Sequence, residues 1–203
     1  MSTVDAVIFD LGKVLLNFDE RRAAGRLATR TGKTAGEILA YFLATPHATE
    51  LALGKLTSRQ FYRTVSRDLG FAGNYEEFAF IWSDIFEPIE PMVELTKSLA
   101  TRRPRLILSN TNVIHIDFVS ARYPWLADFD ALIYSHEVGL LKPDAAIYHL
   151  AVARTGLPAG RTLFIDDLSA NVVAARQAGL QAFQYQSPEH TRAELTKLGV
   201  LAI

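Results

Sequence analysis

The chain has no cysteine among its 203 residues, and this absence excludes disulfide bonds, thiolate zinc sites and cysteine nucleophiles. It also lacks a basic excess, because 21 basic and 22 acidic side chains give a formal net charge of −1. Proteins that bind nucleic acid usually carry surplus positive charge, which neutralises phosphates. We therefore expect no nucleic-acid partner.

Long apolar runs are missing as well. Stretches without Asp, Glu, Lys or Arg reach only about a dozen residues, which is too short to cross a bilayer. The N-terminus reads MSTVDAVIFD, and Asp5 and Asp10 interrupt what would have to be the apolar core of a signal peptide. With 49% hydrophobic and 21% charged residues, the composition is typical of a globular protein. We expect a cytoplasmic protein without a signal peptide or a membrane partner.

Five short runs of apolar, β-prone residues predict five strands, at residues 4–10, 105–109, 131–135, 162–166 and 182–185. Segments with helical spacing or helix caps separate the last four, such as residues 144–154 and 169–178. Alternating strands and helices indicate an α/β fold with a doubly wound, five-stranded parallel sheet.

The segment between the first two strands is much longer than one crossover helix requires. Two possible capping boxes, Thr57 to Gln60 and Asn74 to Glu77, each open a stretch with helical spacing of apolar residues. We predict a core domain of residues 1–18 and 89–203 and a helical cap of residues 19–88. An insertion at this point lies over the carboxyl ends of the strands, where open α/β sheets bind ligands.

Polar residues end three of the strands, and a lysine precedes the helix after the third strand. In a doubly wound sheet these positions share one edge, so their side chains can converge on one cleft. The candidate site residues are Asp10, Gly12, Ser109, Asn110, Lys142, Asp166 and Asp167.

The charges of this cleft indicate a metal ion. Asp10, Asp166 and Asp167 bring three negative charges together, whereas Lys142 supplies a single positive charge. Like charges in contact resist joint ionisation, and clustered carboxylate oxygens suit Mg²⁺. Because Mg²⁺ typically pairs carboxylates with phosphate oxygens, phosphoryl transfer is the natural chemistry. Asp10 can act as the nucleophile, Ser109 can donate a hydrogen bond to a phosphoryl oxygen, and Lys142 can neutralise charge.

Four short motifs in register resemble the haloacid dehalogenase superfamily over essentially the full chain. They are residues 9–15 (FDLGKVL), 108–111 (LSNT), 139–148 (GLLKPDAAIY) and 165–167 (IDD), the last followed by Asn171 and Gly179. The resemblance implies a Rossmann-like core with a helical cap and a Mg²⁺-dependent phosphatase that forms an aspartyl-phosphate.

The same resemblance assigns roles to the candidate residues. Asp10 would be the nucleophile and a Mg²⁺ ligand, with the Gly12 carbonyl and Asp167 as further ligands. Asp166 would act directly or through a bound water. The phosphate would lie against Ser109, Asn110, Lys142 and Gly12.

Gly12 is a departure from the family pattern. Phosphatases of this family usually carry a second Asp there as general acid and base, help worth roughly two to four orders of magnitude in rate. Either another group, such as Asp19 or a cap residue, serves as the acid, or the leaving group needs less help, or the enzyme is weak or inactive. We favour the first two. The run FDLGKVLLNFD also resembles a branch that includes α-D-glucose-1-phosphate phosphatases, which suggests a sugar phosphate.

Two other functions compete with the phosphatase. A metal-independent 2-haloacid dehalogenase would share Asp10, Ser109 and Lys142, but the Asp166-Asp167 pair argues against it. A non-catalytic phosphometabolite-binding protein would have no need of a nucleophile. The sequence leaves open the particular phosphorylated metabolite, hydrolysis versus phosphotransfer, and the oligomeric state.

Two groups of arginines receive a prediction of their own. Arg22, Arg26 and Arg30 recur every four residues, and we interpret them as a solvated stripe or as a guide for an anionic substrate. Arg102, Arg103 and Arg105 are predicted to form a solvated loop at the opposite edge of the sheet.

Overall fold

The computed structural model describes residues 3–99 and 103–201. Its strands are β1 (Ala6–Phe9), β2 (Leu16–Phe18), β3 (Phe86–Pro88), β4 (Arg105–Ser109), β5 (Ala131–Tyr134), β6 (Thr162–Asp166) and β7 (Gln181–Gln184). Five of them form a parallel sheet in the order β5-β4-β1-β6-β7. This confirms the predicted α/β fold, and the predicted strand ends are correct to within one or two residues.

Helices cover both faces of this sheet. They are α1 (Glu20–Thr31), α2 (Ala35–Ala44), α3 (His47–Ala52), α4 (Ser58–Leu69), α5 (Tyr75–Ser83), α6 (Glu90–Leu99), α7 (Val113–Arg122), α8 (Ser135–Val138), α9 (Ala145–Thr155), α10 (Ser169–Gln177) and α11 (Pro188–Lys197). Strand β1 alternates between the faces: Val7 and Phe9 pack toward α6 and α11, and Ile8 packs toward α9 and α10. Among the described helices, none has the length and apolar character that a bilayer crossing needs.

Helices α1 to α5 form a helical insertion between β1 and β4. Strands β2 and β3 pair antiparallel at its base, with Phe18 opposite Phe86. The insertion has its own apolar cluster, which includes Leu27, Ile38 and Phe61 and also contacts α7. Apolar side chains at helical spacing thus give this segment a core separate from the sheet.

Of the two capping boxes predicted in the insertion, the structure contains one in full and one in part. Thr57 and Gln60 form the predicted capping box at the start of α4. Asn74 caps α5 by accepting from the Glu77 backbone, but the Glu77 carboxylate binds Arg30 instead of completing the box. The predicted capping box of α5 is therefore only half formed, because Glu77 pairs with Arg30, a contact that the sequence pattern does not reveal.

The arginine stripe of α1 joins this helix to the end of the insertion. The pairs are Arg22 with Glu87, Arg26 with Asp84 and Arg30 with Glu77. Each pair is partly exposed, so each contributes at most about 1 kcal/mol. The stripe is therefore partly solvated, and an acidic partner balances the charge of each of its arginines.

The predicted solvated loop of arginines is wrong for two of its members. Arg105 is buried and donates hydrogen bonds to the carbonyls of Thr96 and Asp128. Arg103 donates to the Val4 carbonyl at 2.8 Å and also to carbonyls near the C-terminus. Arg102 lies outside the described residues. Buried carbonyls at chain ends need donors, and a guanidinium can serve several at once.

Candidate active site

The parallel sheet gathers the predicted residues at one edge. Asp10 directly follows β1, Ser109 ends β4 and Asp166 ends β6. Strand β1 lies between β4 and β6, and the Asp10 backbone N–H donates to the Ile165 carbonyl at 2.9 Å. The central position of β1 therefore places Asp10 between the ends of its two neighbours.

Lys142 reaches this edge from the loop before α9. Its Nζ lies 2.8 Å from Asp10 Oδ1 and 2.7 Å from Asp166 Oδ2, and all three side chains are buried. Burial lowers the pKa of Lys142, but the two carboxylates outweigh it and raise this pKa overall. Lys142 is therefore a fixed positive charge shared by two acids.

Asn110 holds the backbone of Lys142. Its Oδ1 accepts from the Lys142 N–H and its Nδ2 donates to the Lys142 carbonyl, both at 2.9 Å. The sequence predicts that Asn110 binds phosphate, whereas the structure uses both ends of its amide to orient the lysine. Asn110 is thus a positioning residue through its side chain.

Asp166 is fully buried, and both of its carboxylate oxygens accept hydrogen bonds. Asn171 Nδ2 donates to both of its oxygens, at 2.9 and 3.0 Å, and the Leu168 N–H donates to Oδ1 at 2.8 Å. With Lys142 on Oδ2, both oxygens are occupied. These contacts keep the carboxylate in one orientation and leave little capacity for another direct ligand.

Asp10 has one occupied oxygen and one available oxygen. Its Oδ1 accepts from the Leu11 N–H at 2.7 Å and from Lys142, while no described residue donates to Oδ2. Burial, assisted by the charge of Asp166, raises the pKa of Asp10 to about 7 although Lys142 opposes the shift. A further cation would be needed to keep Asp10 fully ionised at neutral pH.

A metal ion fits the acidic cluster of this edge. Asp10, Asp166 and Asp167 each offer a carboxylate oxygen, and these atoms lie within 4.8 Å of one another. Asp167 is half-buried, and burial together with Asp166 raises its pKa. Three carboxylates against one ammonium leave an excess of negative charge, which a divalent cation with a preference for oxygen relieves.

Phe18 explains the glycine at position 12. A Cβ at Gly12 would lie 2.9 Å from Phe18 Cε1, closer than real contacts allow. The Phe18 ring is held between Phe86, 5.8 Å away, and the Lys13 ammonium, 4.4 Å away. The space that a second aspartate would need is therefore filled by an aromatic side chain of the β2-β3 ribbon.

A cavity of about 490 Å³ lies between the sheet edge and the helical insertion. Gly12, Ser109 and Thr111 line its end at the sheet, and apolar residues of the insertion such as Phe42 and Trp82 line the rest. Among the described residues on its wall, none is a carboxylate of the acidic cluster. The cavity therefore begins beside the candidate site residues and extends toward the helical insertion.

Sequence reasoning missed the features that depend on distant contacts. It does not find Phe18 over Gly12 or the Asn110 contact with Lys142, because no local pattern encodes either of them. Of the proposed substitutes for the missing acid, Asp19 caps α1 by accepting from the Arg21 N–H. Its neighbour Glu20 lines the cavity instead.

Two curated proteins match nearly the whole chain in sequence. A D-ribitol-5-phosphate phosphatase from Bacteroides thetaiotaomicron is 26% identical over 198 residues, which is 94% of this chain and 96% of that protein. The sesquiterpene phosphatase astK from Aspergillus oryzae is 25% identical over 206 residues, which is 97% of each chain.

A solved structure has the same fold. It is a haloacid dehalogenase family enzyme from Bacteroides thetaiotaomicron in complex with magnesium and inorganic phosphate. Its TM-score is 0.84 at 22% identity, over 91% of this chain and 95% of that one. The family model for haloacid dehalogenase-like hydrolases matches residues 4–179, a span that contains all seven predicted site residues. The chain therefore belongs to the haloacid dehalogenase-like hydrolase family.

Proposed function

We propose that this protein is a Mg²⁺-dependent phosphatase that hydrolyses a small phosphorylated metabolite through an aspartyl-phosphate on Asp10. The observation that carries the proposal is the cluster of Asp10, Asp166 and Asp167 around one lysine, with carboxylate oxygens within 4.8 Å of one another. A binding protein has no need of a buried nucleophile with a free oxygen. A metal-independent dehalogenase has no need of a third carboxylate.

The donor set suits Mg²⁺. Asp10, Asp167 and the Gly12 carbonyl would hold the ion, and Asp166, whose oxygens are already occupied, acts through a bound water. When bound, Mg²⁺ supplies positive charge to the phosphate oxygens and favours ionised Asp10. The related enzyme of similar fold was solved with magnesium and inorganic phosphate, which supports this assignment.

The reaction uses the available oxygen of Asp10. Oδ2 attacks phosphorus while Oδ1 stays bound to the Leu11 N–H and Lys142. Lys142 and Ser109 stabilise charge on the phosphoryl oxygens, and the bond from phosphorus to the ester oxygen breaks. Water then hydrolyses the aspartyl-phosphate. The helical insertion, residues 19–88, acts as the cap that limits water during the first step.

Glu20 is our candidate for the missing acid. Among the described residues that line the cavity, it is the only carboxylate. Glu20→Gln should lower kcat about 100-fold or more for alkyl phosphates, whose alcohol needs a proton to leave. It should have little effect on 4-nitrophenyl phosphate, whose leaving group needs none. Equal losses on both substrates would contradict the role, and Asp19→Asn is the matched control.

The alcohol part of the substrate is less constrained. The resemblance noted in the sequence favours a sugar phosphate, and one relative is a D-ribitol-5-phosphate phosphatase. Another relative is a sesquiterpene phosphatase. The substrates in these two names have different alcohols but are both phosphates. We therefore propose a phosphomonoester as the substrate class and expect the cavity to select the alcohol.

The test is phosphate release from a panel of phosphorylated metabolites, including α-D-glucose 1-phosphate, with Mg²⁺ and with EDTA. We expect turnover only with Mg²⁺, no turnover for Asp10→Asn, and normal turnover for Asp117→Asn, a matched change at an exposed aspartate of α7. Mg²⁺-dependent turnover by Asp10→Asn would contradict the mechanism. Chloride release from a 2-chloroacid without metal would favour the dehalogenase. Tight binding of phosphorylated ligands without turnover would favour the binding protein.

A further inference from the structure

We propose that the cavity beside the catalytic groups binds an apolar alcohol, so that the preferred substrates are monophosphates of extended apolar alcohols without a second charged group. This inference rests on the proposed function, which places the phosphate at Ser109 and the acidic cluster. The cavity would select the alcohol part of the substrate, which the catalytic groups do not determine.

The wall of the cavity is mostly hydrocarbon and aromatic. Side chains from α1, α2, α5 and α7 form it, and they include Leu27, Ile38, Leu39, Phe42, Trp82 and Ile116. The volume of about 490 Å³ is in the usual range for small-molecule sites. An apolar chain placed there exchanges water for close contact with apolar side chains, which is favourable in proportion to the area buried.

Three polar side chains of the wall, those of Asn110, Asn112 and His115, already have partners in the protein. His115 Nδ1 lies 3.1 Å from Asn112 Nδ2, and His115 Nε2 lies 3.2 Å from the Trp82 carbonyl. Asn112 Oδ1 accepts from the His115 N–H, where it caps α7. A polyol in this cavity would give up hydrogen bonds to water and find few replacements, which costs binding energy for each unpaired hydroxyl.

The charge of the wall disfavours a second anionic group. Among the described residues that line the cavity, Glu20 is the only acidic one, and none is a lysine or an arginine. Burial lowers the pKa of His115 to about 4, so its ring is neutral at pH 7. Arg22, Arg26 and Arg30 of α1 are paired with acids outside the cavity. No cation of the wall is therefore available to a carboxylate or a second phosphate.

The mouth of the cavity is also apolar. Leu43, near the end of α2, belongs to the wall although 89% of its surface is exposed. A large exposed apolar side chain at the opening of an apolar cavity provides contact for a chain that extends beyond the enclosed space.

The first experiment compares straight-chain alkyl monophosphates from ethyl to octyl with D-ribitol 5-phosphate. The leaving alcohols of the series have similar acidity, so the chemical step stays nearly constant while the apolar length changes. We expect kcat/KM to rise about threefold to fourfold for each methylene. Octyl phosphate should exceed butyl phosphate by about 100-fold. A kcat/KM that is independent of chain length, or higher for D-ribitol 5-phosphate than for octyl phosphate, would overturn the inference.

A pair of variants tests the wall itself. Leu39→Asn places an amide on the wall, and Leu56→Asn makes the same change at a partly buried leucine of the insertion that is not on it. We expect the dependence on chain length to weaken in the first variant and to persist in the second. The same dependence in both variants would contradict the proposal.

Binding measurements separate this inference from the proposed function. Alkylphosphonates of the same chain lengths cannot be hydrolysed, and their Kd for the Mg²⁺-loaded protein is measured by titration calorimetry. A Kd that falls about threefold to fourfold per methylene, without turnover of any phosphate, would support the apolar cavity and refute the phosphatase. Turnover with a Kd that is independent of chain length would support the phosphatase and refute the apolar cavity.

Discussion

Replacement of Lys142 by methionine should destabilise the protein in a way that depends on pH. The Lys142 ammonium lies 2.8 Å from Asp10 and 2.7 Å from Asp166, and all three side chains are buried. Removing one partner of a buried ion pair typically costs about 3–5 kcal/mol, because an uncompensated charge stays behind. In a protein of this size, each kcal/mol lowers Tm by about 2–4 °C. We therefore expect Tm of Lys142→Met to fall by roughly 6–20 °C at about pH 8 in EDTA.

The fall in Tm caused by Lys142→Met should be smaller at acidic pH. The pKa of Asp10 is already raised to about 7, and removal of Lys142 raises it further. A carboxyl group whose folded pKa is raised stabilises the folded state below its unfolded pKa, and this contribution is lost as pH rises through the folded pKa. At about pH 5.5 the variant can bind a proton in place of the ammonium, so its Tm should approach that of the unchanged protein.

The measurement is thermal unfolding by circular dichroism at both pH values, with EDTA and with Mg²⁺. Mg²⁺ should raise Tm more in the variant than in the unchanged protein, because its charge replaces the lost cation. Lys97→Met is the matched control: Lys97 is exposed and pairs with Glu94, so this change should leave Tm nearly unchanged. Equal Tm values for Lys142→Met and the unchanged protein at both pH values would refute the reasoning.

Three further predictions test the remaining features of the site. In EDTA, the unchanged protein should lose up to about 4 kcal/mol of unfolding free energy between about pH 4 and pH 7, since the pKa of Asp10 rises from 3.8 to about 7 on folding. Asp10→Asn should lack this share of the slope in urea titrations, and an unchanged slope would contradict the assignment. Gly12→Asp should lower kcat/KM rather than supply an acid, because its Cβ would lie 2.9 Å from the Phe18 ring. Adding Phe18→Leu to this variant should relieve the loss. A Gly12→Asp enzyme that is faster than the unchanged protein would show that Phe18 does not block the position. Asn110→Ala should cost about 1–3 kcal/mol in urea unfolding and reduce kcat, since the Lys142 backbone loses two hydrogen bonds; a stable, fully active variant would exclude the positioning role.

The sequence by itself determined the architecture and the place of the site. Short β-prone runs separated by helical segments predict the five-stranded parallel sheet, and the structure has these five strands. Parallel strands align their carboxyl ends, so residues directly after them must gather at one edge. That rule is enough to bring Asp10, Ser109 and Asp166 together before any coordinates are known. Each of these signals is contained in a few consecutive residues.

Only the tertiary structure decided which side chains touch. The Asn110 side chain binds the Lys142 backbone, and Arg105 is buried rather than solvated. Phe18 and Gly12 are near in sequence, yet their contact depends on the ribbon that pairs Phe18 with Phe86, far along the chain. The apolar wall of the cavity likewise combines helices from separate parts of the sequence. Local patterns reveal strands and helices because neighbouring residues encode them, whereas side-chain contacts and cavities arise from packing between residues that only the fold brings together.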